Sequence, residues 1–235
     1  MKSRINYWAL ITFYTIAVLC RYITNKTGIM DGVSNEYLNA LLRGIGPALG
    51  TIVVFVVFKI KPALSLKGNY KNVLIPALIY FILPIFLITV VEYFAKGTFI
   101  AIKAAFIILI YGMLEEYGWR GFLHKELKPL PPIVNIIIVS VLWFLWHLNF
   151  EISTGNLIFF GILLLGSWGI GKVADITGSL FAASAFHSLN NFFSDFTTAR
   201  IMVLSVLFIV WLLFVIVKKR QLIKESSELT LESNK

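Results

Sequence analysis

Three sets of polar residues, each inside a long apolar run, carry the side chains that could do chemistry. The segment 109–123, LIYGMLEEYGWRGFL, contains Glu115, Glu116 and Arg120. A charged side chain inside a membrane is costly, by roughly 2.5–3.5 kcal/mol on insertion scales. Residues four apart share a helix face, so Glu116 is predicted to pair with Arg120. Glu115 is rotated by about 100° from Glu116 and is therefore left to face elsewhere.

The other two sets each place an imidazole on an apolar helix. Trp143 and His147 are four residues apart in SVLWFLWHLNF, and His187 and Asn191 are four apart in FAASAFHSLNNFF. Taken singly, a histidine or an asparagine in a membrane helix commonly bonds a neighbouring helix. Ionisable residues inside a membrane usually face one another or a cavity, so the coincidence of three sets predicts one shared site. His124, in a basic interfacial stretch, is interpreted as a surface residue.

The composition indicates a membrane protein. Of the 235 residues, 58% are hydrophobic and 14% are charged, whereas a typical soluble domain is about 25% charged. The single cysteine, Cys20, excludes a disulfide framework within the chain. The net charge of +9 comes from short basic clusters between apolar runs, the pattern by which membrane proteins set their orientation. We therefore expect a lipid bilayer, and no nucleic acid, as a partner.

The apolar runs predict the fold class. Crossing the bilayer core takes about 20 apolar residues per helix, so we expect an all-α, polytopic membrane bundle of about eight transmembrane helices. The predicted spans are 7–23, 38–58, 74–94, 98–117, 133–150, 156–173, 178–194 and 200–217. Most of the 21 Lys and Arg residues then fall on cytoplasmic segments, while the others, Arg21 among them, lie on or near the outer side. This predicts a multi-pass cell-membrane protein with both termini in the cytoplasm.

The three motifs together resemble those of a known family. EEYGWR fits E-E-x-x-x-R, WFLWH nearly fits F-x-x-x-H with Trp143 where the family usually has Phe, and HSLNN fits H-x-x-x-N. Over about residues 99–195 the chain is similar to the CPBP intramembrane endopeptidases, the CAAX protease and bacteriocin-processing (Abi) family. On this resemblance, residues 1–98 are transmembrane helices without motifs and 99–195 are the catalytic core helices. Residues 196–217 are the last transmembrane helix, and 218–235 are a polar cytoplasmic tail.

The resemblance implies a role for each motif residue in peptide-bond hydrolysis. Glu115 would be the general base, and His147 would help to hold and polarise the attacking water. His187 and Asn191 would donate hydrogen bonds to the oxyanion, a contribution of about 3–4 kcal/mol per donor. Three further residues would support these four: Glu116, Arg120 and Trp143.

The resemblance leaves metal dependence open, because family members are described both as metalloproteases and as metal-independent glutamate proteases. Glu115, His147 and His187 could together hold Zn²⁺. The chain lacks an H-E-x-x-H motif, and asparagine is a poor zinc ligand, so we favour an enzyme without a cofactor.

The expected substrate is a peptide or membrane-protein bond, in bacteriocin self-immunity, peptide maturation or signalling. Two alternatives remain open. One is a non-catalytic immunity or binding protein of the same fold. The other is a small proton-coupled carrier. Internal repeats would favour a carrier, and the sequence shows none.

Overall fold

Helices make up nearly all the regular structure in the computed structural model, which describes residues 4–97, 100–192, 201–203, 205–207, 209–210 and 213. No β-strand occurs among these residues, and the predicted all-α class is confirmed. The helices in chain order are α1 (Tyr7–Lys26), α2 (Glu36–Gly44), α3 (Gly46–Val57), α4 (Tyr70–Ala77), α5 (Leu83–Lys96), α6 (Ile100–Gly118), α7 (His124–Glu126), α8 (Pro132–Trp146), α9 (Thr154–Thr177) and α10 (Leu180–Phe192). A 3₁₀ turn (Ile29–Gly32) precedes α2, and π-helical turns (Leu78–Ile82 and Trp119–Leu123) follow α4 and α6.

Membrane-spanning helices are present in the described part of the chain. Three are long and apolar enough to cross a bilayer: Tyr7–Lys26, Val73–Val91 and Thr154–Thr177. A fourth span arises if α2 and α3, which meet at a 43° bend, are counted together. The predicted count of eight is therefore not confirmed. The predicted helix 196–217 lies largely outside the described residues, and the tail 218–235 lies wholly outside them.

The predicted spans that carry the polar motifs all depart from a simple transmembrane helix. Proline at 131 and 132 delays α8 until Pro132, and its 15 residues rise only about 22 Å against a core of about 30 Å. The apolar part of α10 is also short, at Leu180–Leu189. α6 has 19 residues but carries Lys103, Glu115 and Glu116.

Small residues let α3 pack closely against both α1 and α6. A Cβ atom on Gly46 would lie 2.7 Å from the carbonyl oxygen of Ala17, and one on Gly50 would lie 2.7 Å from that of Phe13. This spacing of two glycines four residues apart is the arrangement through which membrane helices approach closely. On the other side of α3, Pro47 packs against Gly118 at the end of α6. The contacts hold α1 and α3 against the part of α6 that carries the two glutamates.

The chain stays helical after the E-E motif but changes its winding. The turn Trp119–Leu123 is π-helical, with the His124 amide donating to the carbonyl oxygen of Trp119, and all five of its residues are buried. Such turns are rare and are frequent at functional sites. α10 packs against α6 and α9, and α8 packs against α9. α9 and the turn Trp119–Leu123 therefore connect α8 with α6 and α10, the other two helices that bear the motifs.

Candidate active site

Glu115 is a carboxylate held in the interior by indole groups. The residue is 1% exposed. Oε2 accepts hydrogen bonds from Nε1 of Trp143 at 2.8 Å and from Nε1 of Trp119 at 3.3 Å. A buried carboxylate without donors would carry a large desolvation cost, which these two bonds offset. The motif predicts only that Trp143 places an aromatic ring beside His147. In the structure, Trp143 also donates a hydrogen bond to Glu115.

Glu116 faces a different set of partners, as the rotation of one residue along the helix predicts. Its Oε1 accepts from Nη1 of Arg120 at 2.8 Å, which confirms the predicted pair, and from Nδ1 of His187 at 2.6 Å. Arg120 also donates through Nη2 to the carbonyl oxygen of Gly166 at 3.4 Å. Its guanidinium carbon lies 4.6 Å from the centre of the Trp143 ring. The ion pair therefore connects α6 with α8, α9 and α10.

His187 is oriented by Glu116. Because a carboxylate oxygen can only accept, Nδ1 carries the hydrogen of the 2.6 Å bond and Nε2 is the nitrogen left for other partners. The ring is nearly fully buried, and its centroid lies 5.3 Å from that of Trp143. The carboxylate of Glu115 also interacts electrostatically with this imidazole. The structure thus ties His187 to the second glutamate while keeping it near the first.

His147 ends α8 with its ring turned toward the same carboxylate. Nδ1 donates to the carbonyl oxygen of Trp143 at 2.8 Å, so a neutral ring carries its lone pair on Nε2 and can accept a proton there. The imidazole packs edge-on against Phe159 at 4.8 Å and Trp146 at 5.0 Å between centroids. It interacts electrostatically with Glu115. The two aromatic contacts and the hydrogen bond to the Trp143 carbonyl oxygen therefore hold the His147 ring in this orientation.

Asn191 lies one helical turn after His187 and is half-buried. The spacing places both residues on one face of α10. Within the described residues, no hydrogen bond links the Asn191 side chain to Glu115, His147 or His187. The structure thus brings Glu115 and the two histidines together, and it places Asn191 on the face that they share.

Two residues that the motifs do not single out also face Glu115. Tyr111, one turn earlier on α6, and Arg21 of α1 both interact with it electrostatically. The guanidinium carbon of Arg21 lies 4.3 Å from the centre of the Trp146 ring, and Nη1 donates to the carbonyl oxygen of Arg43 at 3.0 Å. The distribution of Lys and Arg predicts only that Arg21 lies on or near the outer side of the membrane. A charged residue within the apolar run of α1 is unusual, and this position is the feature of the sequence that could have indicated a role for Arg21.

The resemblance offers Glu115, His147 and His187 as zinc ligands. In the described part of the chain, no group of three or more His, Cys, Asp or Glu side chains is placed to hold a metal ion. Oε2 of Glu115 accepts from two indole donors, and Nδ1 of His187 donates to Glu116. The chemistry proposed below uses the chain's own residues alone.

Comparison with known protein families agrees with the motifs. Residues 96–193 match the family model of the type II CAAX prenyl endopeptidase Rce1-like proteins. The matched segment runs from the end of α5 through α10 and contains all three motifs. No curated protein matches the chain. The resemblance to the CAAX protease family is therefore confirmed, as a similarity of the segment 96–193, which bears the motifs, to the Rce1-like endopeptidases.

Proposed function

We propose that the chain is an intramembrane endopeptidase that hydrolyses a peptide bond with a water molecule activated by Glu115. The observation that carries the proposal is one carboxylate, almost fully buried, that is held by two indole N–H groups and faced by two imidazoles. A base in such a position is oriented before the substrate arrives, which lowers the entropic part of the barrier. The family match supports peptide hydrolysis as the reaction class.

In the first step, Glu115 takes a proton from water as the water oxygen attacks the substrate carbonyl carbon. Nε2 of His147 accepts a hydrogen bond from the same water, because its Nδ1 hydrogen is committed to the Trp143 carbonyl. Nε2–H of His187 and the amide of Asn191 donate to the oxyanion that forms. In the second step, the proton on Glu115 passes to the amine nitrogen as the C–N bond breaks. Both products then leave, and Glu115 is again a carboxylate.

Glu116 and Arg120 are positioning residues in this scheme. Glu116 provides the counter-charge for a doubly protonated His187, and Arg120 holds Glu116 in place through its 2.8 Å ion pair. A carboxylate that orients an imidazole in this way fixes which nitrogen faces the reacting atoms. The two adjacent glutamates therefore have different tasks, one in proton transfer and one in orienting a donor.

An apolar cleft near His147 supports a substrate with apolar side chains. The cleft has a volume of about 350 Å³ and lies between the end of α8, the loop after it and the start of α9. Its walls include Phe144, Phe150, Leu157 and Phe160. Phe144 packs at 6.1 Å between centroids on Phe159, the ring that contacts the imidazole of His147. We place the side chains that flank the cleaved bond in this cleft, and we retain self-immunity, maturation and signalling as settings for the reaction.

Cleavage by the purified full-length chain in proteoliposomes tests the proposal. Substrates are fluorogenic apolar peptides, with and without a C-terminal prenyl-cysteine motif, the substrate type in the name of the matched family. The Glu115→Ala and His187→Ala variants should lose cleavage while inserting normally, and the exposed Glu36→Gln variant should keep the wild-type rate. Cleavage should also persist after exhaustive chelation. Wild-type rates in both active-site variants would reject the assignment, and loss of cleavage on chelation that Zn²⁺ restores would reject the metal-free mechanism.

A further inference from the structure

A second polar cleft lies beside the start of α8, apart from the cluster around Glu115. It has a volume of about 230 Å³, which is small for an organic ligand and suits a compact polar group. Three segments form it: the stretch around α7, the first turn of α8 and the last turns of α9. Its polar lining consists of His124, Lys128, Asn135, Ser167, Lys172 and Asp175.

His124 is bonded at both ring nitrogens. Nδ1 lies 3.1 Å from Oδ1 of Asn135, and Nε2 lies 3.2 Å from Oδ1 of Asp175. The Asn135 amide nitrogen donates to the His124 carbonyl at 2.9 Å, which fixes Oδ1 as the atom facing the ring. Both ring nitrogens therefore lie within hydrogen-bond distance of side-chain oxygens. His124 is thus not the surface residue that its sequence position indicates, since its side chain is only 13% exposed.

The cleft carries more positive than negative charge. Asp175 is its one acidic lining residue, and it is already paired with Nζ of Lys128 at 2.8 Å as well as with His124. Lys172, one turn before Asp175 on α9, contributes a further cation and makes no ion pair with any described residue. The two lysines thus exceed the one carboxylate, so an anion entering the cleft meets a positive potential.

A buried hydroxyl group lines the same cleft. Ser167 is 2% exposed, and its Oγ has no hydrogen-bond partner among the described residues. Buried hydroxyl groups in folded proteins are normally bonded, so one that lines a basic cleft is available to a ligand oxygen. Lys172 and Ser167 lie five residues apart on α9, so a ligand between them would meet a cation at its outer side and a hydroxyl at its inner side.

The cleft lies where lipid headgroups are expected. Its charged residues Lys172 and Asp175 lie in the last two turns of Thr154–Thr177, one of the helices that can span a bilayer. A lysine near the end of a membrane helix is typical of the headgroup level. We infer that this cleft binds the phosphate group of an anionic phospholipid headgroup, through Lys172, Lys128, His124 and the hydroxyl of Ser167. Basic pockets between membrane helices bind such headgroups.

Native mass spectrometry of the purified full-length protein in detergent tests this inference. The probes are dioctanoyl phosphatidylglycerol, inorganic phosphate and dioctanoylglycerol, which lacks the phosphate. We expect Lys172→Gln to weaken phosphatidylglycerol binding about tenfold, the size of one lost charge-assisted hydrogen bond. Ser167→Ala should weaken it about threefold, with no loss of thermal stability because the hydroxyl has no partner in the protein. The matched control is Lys67→Gln, which removes an exposed charge at the same predicted membrane face and should bind the lipid as the wild type does.

The probes also distinguish the source of the phosphate. Binding of phosphatidylglycerol without binding of inorganic phosphate would support a lipid headgroup as the ligand. Comparable binding of inorganic phosphate, lost in Lys172→Gln, would support the phosphate site with a soluble ligand. Equal weakening by Lys172→Gln and Lys67→Gln would overturn the inference, and so would retention of dioctanoylglycerol as tightly as phosphatidylglycerol.

Discussion

Glu116→Gln is expected to destabilise the protein far more than Glu115→Gln, although the two residues are adjacent and equally buried. Glu116 pairs with Arg120 at 2.8 Å, with both side chains 0% exposed, and it also bonds His187 at 2.6 Å. Removing one partner of a buried ion pair leaves the other charge without compensation, which costs about 3–5 kcal/mol. The amide of glutamine cannot supply that charge to Arg120.

Glu115→Gln removes a charge whose two hydrogen-bond donors, Trp143 and Trp119, are neutral. Arg21, which also interacts with Glu115, keeps its hydrogen bond to the carbonyl oxygen of Arg43 in this variant. Glutamine keeps an acceptor oxygen for Nε1 of Trp143, so the 2.8 Å bond weakens but is not lost. The difference between a charged and a neutral hydrogen bond is about 1 kcal/mol. The variant also no longer buries an ionised group, which offsets part of that loss. The net change in the free energy of unfolding should be within about 1 kcal/mol.

Thermal unfolding of the two purified full-length variants in one detergent measures this difference. For a chain of this size, 1 kcal/mol shifts Tm by roughly 2–4 °C. Glu116→Gln should therefore lower Tm by roughly 10 °C, and Glu115→Gln by no more than about 4 °C. The exposed Glu36→Gln variant should change stability by less than about 0.5 kcal/mol. Equal shifts for the two buried glutamates, or a larger one for Glu115→Gln, would refute the division of tasks between them.

Two further predictions concern residues around the carboxylate. Trp143→Phe keeps an aromatic ring but removes the indole donor to Glu115, so kcat should fall about tenfold with little change in KM. The control is Trp8→Phe, at a residue that is 74% exposed. An unchanged kcat in Trp143→Phe would contradict a direct role for Trp143. Arg21→Gln should lower kcat about tenfold because the guanidinium acts on Glu115, whereas Lys26→Gln in the last turn of the same helix should not. Equal rates for the Arg21 and Lys26 variants would place Arg21 outside the site.

The local part of the site could be predicted from the sequence, and the long-range part could not. The pair Glu116–Arg120 follows from a spacing of four residues on one helix. The bond between Glu116 and His187 joins residues 71 apart in the chain, and it depends on how α10 packs against α6. The motif places Trp143 beside His147, but the direction of its indole N–H depends on the relative position of α6 and α8.

Among the described residues, two predicted spans differ from single straight helices, because hydropathy records composition and not the ends of helices. The predicted span 133–150 ends early as a helix, at Trp146, and Leu148 adopts a φ of +56° that no helix continues. The predicted span 38–58 is bent by 43° where Gly44 and Gly46 flank Ile45. In the second case the two glycines are a visible signal, since glycine weakens a helix interior. In the first, the apolar residues after His147 conceal the break.

The candidate site extends beyond the segment that bears the motifs. The family match covers 96–193, yet α1 provides one wall of the cluster. The carbonyl oxygen of Ala17 accepts from Nε1 of Trp146 at 3.0 Å, and Phe13 packs edge-on at 5.6 Å against Trp119, a donor to Glu115. Arg21 follows on the same helix, one turn after Ala17. A helix without motifs therefore packs against the residues that hold Glu115, and we expect the proposed chemistry to depend on α1.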